Sequence, residues 1–193
     1  APGVSGFSPC DLKSVLQTAS APLSQIFSYF LDSTSFYAEW LRSSVFFLYK
    51  GKGNRDDPNN FRSICIQDPF AKAFSTILTT RLSSYAESND LLPKFQFGFR
   101  SRRSTISAAA LLHEVAHSRL SSGKRTYAAF IDFKKAFDRV RRPLLFKKLL
   151  LLGIPSRFCL TLDNIFRETR YVIKSGEFFS EPYTSNVGVP QGD

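Results

Sequence analysis

At 193 residues, with 43% apolar and 15% aromatic content, the chain has the length and material for a real hydrophobic core. Those proportions exclude a disordered tail, and no apolar run approaches the ~20 residues that a membrane-spanning helix needs. The formal charge of +10 points to a polyanionic partner, although a basic domain without such a partner has the same composition.

In chain order, Ser8 and Pro9 give an N-cap and first helical position for a helix over about 9–20. A second helix starts at Pro22 and carries Ile26, Phe27, Phe30 and Leu31. Ser44-Val-Phe-Phe-Leu-Tyr49 and Phe61-Arg-Ser-Ile-Cys-Ile66 read as strands on either side of a Gly-, Asn- and Asp-rich loop. Together they predict a hairpin over 44–66 that presents Lys50, Lys52, Arg55 and Arg62. Asp68 and Pro69 open a helix running to about Glu87, with Phe70, Phe74, Ile77, Leu78 and Leu82 on its apolar side. Ser104 or Thr105 caps another over about 105–121, for which Ala108, Leu111, Leu112, Val115 and Ala116 predict a core face. Thr126-Tyr-Ala-Ala-Phe-Ile131 is a continuous apolar run, read as a strand buried on both faces. Pro143 starts a helix with Leu144, Leu145, Leu149 and Leu152, entered through the basic residues Arg139, Arg141 and Arg142. A helix over about 156–167 then precedes two strands, 171–174 and 177–184, joined through Ser175-Gly176.

Cys10, Cys65 and Cys159 are far apart, odd in number and without metal-ligand spacing, so they read as thiols in a reducing compartment. His113 and His117 stand at i, i+4 with no third ligand, which favours surface or packing roles. With no signal-peptide pattern either, the expected location is intracellular, in the nucleus or an organelle, without membrane insertion.

The chemistry concentrates in Phe130-Ile-Asp-Phe-Lys-Lys-Ala-Phe-Asp-Arg-Val140. A lone aspartate after a strand is more often a cap than a ligand. Here Asp132 is followed five residues later by Phe137, then by Asp138 and three arginines. The string resembles the first catalytic motif of reverse transcriptases, in the form found in non-LTR retrotransposons and group II intron proteins. Three further stretches carry the same resemblance. The hairpin around Lys50 and Arg62 is similar to the fingers hairpin, with Ser63 where proline is usual. Gln96-Phe-Gly-Phe-Arg-Ser-Arg-Arg-Ser-Thr105 is similar to the family's Gln-x-Gly-Phe-Arg motif, and Val187-Gly-Val-Pro-Gln-Gly-Asp193 to the opening of the Gly-Val-Pro-Gln-Gly motif. A fourth match, Ala1-Pro-Gly-Val-Ser-Gly6, has serine where aspartate is usual.

The resemblance implies roles. Asp132 would be the catalytic carboxylate and a ligand of both magnesium ions, since Mg²⁺ takes hard oxygen donors and keeps substrate phosphates among its ligands. Phe137 would lie beneath the sugar of the incoming nucleotide and reject a 2′-hydroxyl by bulk. Phe133 and Gln191 would complete the nucleotide site, with Lys50 and Arg62 on the triphosphate. Lys52, Arg100, Arg102, Arg103 and Gly192 would contact nucleic acid. Three arginines near a helix N-terminus suit phosphate in any family.

The implied fold is α+β, fingers plus an incomplete palm with a partial antiparallel sheet. Residues 1–125 would be fingers-like and 126–193 partial palm, with the catalytic motif at 130–140 and the Pro-Gln-Gly motif opening at 187–193. The Tyr/Phe-x-Asp-Asp string that brings the other carboxylates does not occur in the sequence. Two readings stay open. In one, the chain is a segment of an RNA-directed DNA polymerase, a nucleotidyltransferase, inert alone and using Mg²⁺ and deoxynucleoside triphosphate only when complete. In the other, it is a repurposed, non-catalytic module that binds RNA or DNA or builds an assembly. An unfinished sheet leaves an edge and an apolar face open, so another protein chain is expected to cover it.

Overall fold

The computed structural model describes residues 5–191 and falls into two compact units. One joins residues up to Ile77 with those from Lys135 onward; the other is Leu78–Lys134. Residues 1–4 of the N-terminal match, and Gly192 and Asp193, lie outside the described residues.

The first unit opens with α1, Pro9–Thr18. Ser8 caps it reciprocally: its hydroxyl accepts from the Asp11 amide while its own amide donates to the Asp11 carboxylate at 2.7 Å. These bonds from Ser8 hold the Asp11 carboxyl below its ordinary value. Helix α2, Ser20–Ser33, starts two positions before Pro22 and turns Leu23, Phe27 and Phe30 inward at helical spacing. Those rings meet Phe36, Trp40, Phe70 and Phe74 in one aromatic cluster. Trp40 stacks on Phe70 at 4.8 Å, and Phe74 touches Phe27, Phe30 and Phe36 at 5.2–6.0 Å.

Strands β1 (Arg42–Tyr49) and β2 (Phe61–Ile66) form the expected hairpin, with Leu48 opposite Arg62 and Tyr49 opposite Phe61. The sheet order is β2-β1-β3-β4. Strand β3, Arg170–Ser175, runs parallel to β1, so the sheet is mixed rather than wholly antiparallel. Parallel pairing needs a long crossover, and here more than a hundred residues of chain separate the two strands. Strand β4 is only Phe178–Phe179: the turn is Gly176-Glu177 (Ser175 pairs with Phe178), the Ser180 hydroxyl takes the Ile173 amide at 3.0 Å, and beyond it the chain meets β3 at an isolated Tyr171–Tyr183 bridge. Val45, Cys65 and Tyr171 form the buried centre of the sheet, with Ile173 packed against them. Helices α5 (Arg142–Leu151) and α6 (Ser156–Glu168) complete the unit.

Helix α3, Pro69–Ser88, begins in this unit and crosses the boundary after Ile77. Its start is fixed by Asp68, which is 0% exposed. One carboxylate oxygen accepts from the Phe70 amide at 2.9 Å, and the other from the Ser5 hydroxyl. A buried carboxylate is tolerated because each of its oxygens accepts a hydrogen bond.

The second unit holds the rest of α3, the loop to Ser104, α4 (Thr105–Ser121) and an irregular stretch. Ser104 caps α4 by accepting from the Ser107 amide at 3.1 Å. The expected core face of α4 is corrected: none of its residues is buried, and Leu111, Leu112 and Val115 are each more than 40% exposed. The strand expected over 126–131 is corrected too. Residues 124–133 take no regular structure, with Tyr127, Phe130 and Ile131 more than 80% exposed. A strand requires a hydrogen-bonded neighbour, and no described strand pairs with this segment.

Candidate functional site

Two loops of the first unit dock on each other. The turn after Lys135 presents the carbonyls of Phe137 and Val140. Gly188 donates its amide to Val140 at 2.8 Å, and Val189 donates to Phe137 at 3.0 Å. Gly188 is the residue this approach demands: its φ is +78°, and a Cβ there would lie 2.9 Å from the Asp138 carbonyl oxygen and 3.0 Å from that of Phe137. Two residues on, the Gln191 carbonyl accepts from the Cys65 amide of β2 at 2.8 Å. Thus the segment of the first catalytic motif, the Pro-Gln loop and the strand carrying Arg62 are joined by backbone bonds. A cavity of about 170 Å³ lies among them, lined in part by Ser63, Cys65, Asp138, Tyr183 and Gln191. Burial, and then the nearby Cys65, raise the Tyr183 hydroxyl above its ordinary value. Phe137 is 37% exposed, so its ring is neither plain core nor free surface.

Behind this arrangement lies Arg142. It reads from the sequence as one of a basic run at a helix entrance, either a solvated face or a nucleic-acid contact. The structure corrects that: Arg142 is 5% exposed. Nothing in the sequence distinguishes it from Arg139 or Arg141; only the fold sets it apart.

The hairpin tip is held by its own residues. The Lys50 amide donates to the Asn60 carbonyl at 2.8 Å, and the Lys50 ammonium to the Asn59 carbonyl at 2.6 Å. Tyr49 donates its hydroxyl to the Gly53 carbonyl, while Arg55 lies over the Tyr49 ring at 4.9 Å. Lys52 and Arg62 are exposed. Lys50, Arg62, Phe137 and Gln191 therefore all belong to the first unit.

The other residues implied by the resemblance lie in the second unit. Arg100 is engaged within the protein: its fork takes both Glu87 oxygens at 2.8 and 2.5 Å, and a third donor reaches the Pro93 carbonyl at 2.9 Å. This pairing with Arg100 holds the Glu87 carboxyl below its ordinary value and raises Arg100. Arg102 and Arg103 are exposed; Arg102 has a left-handed φ of 59°, and Arg103 lies over the Phe97 ring at 5.3 Å. Asp132 and Phe133 lie in the irregular stretch, with Phe133 77% exposed.

Among the described residues no group of three or more His, Cys, Asp or Glu could hold a metal ion, whereas Mg²⁺ in phosphoryl transfer relies on clustered carboxylates and substrate phosphates. Nor is any helix of the described residues long and apolar enough to cross a membrane. All three cysteines are free thiols; Cys159 is buried, which raises its pKa.

Comparison with known proteins accounts for the arrangement. Residues 50–193 match the family model described as reverse transcriptase (RNA-dependent DNA polymerase). The chain is 30% identical over 196 residues to a putative 115 kDa protein in the type-1 retrotransposable element R1DM of Drosophila melanogaster, covering 99% of this chain and 18% of the relative. It is 26% identical over 191 residues to the probable RNA-directed DNA polymerase from transposon BS of the same organism, covering 99% and 21%. A third relative, the RNA-directed DNA polymerase from mobile element jockey of D. melanogaster, is 27% identical over 171 residues, covering 88% and 18%. The chain thus spans about a fifth of the length of these curated relatives. Six helices and a four-stranded mixed sheet among the described residues are consistent with a partial reverse transcriptase fold. With the family match running from the hairpin lysine through the two docked loops, this chain belongs to the reverse transcriptase family.

Proposed function

We propose that this chain binds template nucleic acid and the incoming deoxynucleoside triphosphate as part of an RNA-directed DNA polymerase, and does not polymerise by itself. One observation supports the reading above the rest. The Phe137 carbonyl accepts from Val189, two residues before Gln191, so the two segments that the family resemblance sets against the nucleotide are joined in the unit that also carries Lys50 and Arg62. In the second unit, Arg102 and Arg103 are the template-side cations, while Arg100 is occupied by Glu87 and shapes the loop. Asp132 is the catalytic carboxylate and metal ligand in the complete enzyme; reverse transcriptases use Mg²⁺, and the further ligands come from elsewhere. The exposed run from Tyr127 to Phe133 suits cover by more protein, because apolar surface of this kind is costly in water. Free thiols suit a reducing, intracellular compartment.

Two measurements test the reading. RNA affinity should fall steeply with salt, with the slope reduced by about two in Arg102→Ala/Arg103→Ala, since each phosphate contact contributes about one unit or slightly less. An unchanged slope would place the phosphate contacts elsewhere. Primer extension on an RNA template should not exceed a control without protein; extension lost in Asp132→Ala would overturn the claim of inertness. A second reading is a non-catalytic binding or structural module. Binding of RNA without any binding of nucleotide would select it.

A further inference from the structure

Arg142 is the first residue of α5, where the positive end of the helix dipole disfavours a cation. It is nonetheless 5% exposed, and all four of its hydrogen bonds go to backbone carbonyls. Nε donates to Gly188 at 2.8 Å; Nη1 donates to Ser185 at 2.6 Å and to Phe166 at 3.0 Å; Nη2 reaches Val187 at 3.5 Å. Its guanidinium carbon also lies 5.1 Å from the Phe166 ring centre. Phe166 belongs to the last turn of α6, whose negative dipole end compensates the buried charge. Three carbonyls in four residues, 185, 187 and 188, therefore converge on one side chain.

That local clamp has a longer reach. The residue whose carbonyl takes Nε, Gly188, is the one whose amide is bonded to Val140; its neighbour Val189 is bonded to Phe137, and Gln191 to Cys65. Releasing the loop at 185–188 would free both of its attachments, to the Phe137 segment and to β2.

We propose that Arg142 is a positioning residue for the nucleotide site: its fork sets the 185–191 loop, and through it the placement of Gln191 and of the Phe137 segment. Arg142 touches no substrate. The part that concerns nucleotide rests on the function proposed above; the part that concerns the loop does not. Lysine cannot replace it, because one ammonium projects its donors from a single point and cannot span carbonyls that need a planar fork.

The test compares this chain with Arg142→Gln and Arg142→Lys, by amide hydrogen exchange and by binding of deoxynucleoside triphosphate with Mg²⁺. Protection at Gly188, Val189 and Cys65 should fall by about tenfold or more in Arg142→Gln, and by less in Arg142→Lys, while the amides of β1 change by less than about threefold. Nucleotide dissociation constants should rise by about tenfold in parallel. An equal loss of protection in the loop and in β1 would overturn the proposal, since Arg142 would then only stabilise the unit. Unchanged protection at Gly188 and Val189 would overturn it as well. If Arg142→Gln does not fold, Arg142→Lys decides on the same criteria. Should the unmutated chain bind no nucleotide, the nucleotide reading fails, and the exchange pattern alone decides whether Arg142 sets the loop.

Discussion

Gly188→Ala is the sharpest perturbation the structure offers, because the new methyl group meets only backbone. The added Cβ would stand 2.9 Å from the Asp138 oxygen, 3.0 Å from its Cα and 3.0 Å from the Phe137 oxygen. No rotamer change relieves such contacts. The φ of +78° adds a second term, since an L-residue held in the left-handed region costs about 1–2 kcal/mol. The loop has two responses. Staying in place keeps the full overlap and the strain. Moving away gives up the Gly188–Val140 and Val189–Phe137 hydrogen bonds, about 0.5–1.5 kcal/mol each, and relieves the overlap. With the backbone strain included, the loss is about 2–5 kcal/mol, a large share of a small domain's stability. Urea unfolding followed by circular dichroism would read it as a lower midpoint at unchanged slope. A change under about 1 kcal/mol, or the stabilisation that Gly→Ala gives where alanine suits the backbone, would refute the close approach of the two loops.

Phe137→Ala should cost less than the ~3–5 kcal/mol of a fully buried phenylalanine, because the ring is 37% exposed; thermal unfolding measures it, and a loss in the full core range would make Phe137 plain core rather than a pocket wall. Ser5→Ala removes a donor from the fully buried Asp68 carboxylate and should cost about 1–3 kcal/mol; a thermal midpoint equal to that of the unmutated chain would mean that Asp68 does not depend on Ser5. Glu87 has a folded pKa below its ordinary 4.5, so its pairing with Arg100 stabilises the fold above that pH and is lost as pH falls through the lowered value. The unfolding midpoints of this chain and Glu87→Gln should therefore converge as pH drops below 4.5, and a constant gap would sink the pairing.

Local signals in the sequence determined much of this protein. Ser8 with Pro9, Asp68 with Pro69, and Ser104 each fixed a helix start, because capping chemistry acts within one turn. The hairpin around Lys50 and Arg62 was legible from strands and a turn adjacent in sequence, and the ordered motif strings pointed to the family. Tertiary structure alone decided the rest. The parallel pairing of β1 with β3 joins residues more than a hundred positions apart, which no local pattern encodes. Residues 126–131 have the composition of a buried strand, but a strand exists only with a neighbour, and none is present among the described residues. Arg142 and Arg141 are alike as letters; one lies buried beneath four carbonyls and the other in solvent, because only the folded path of residues 166 and 185–188 brings acceptors to the first.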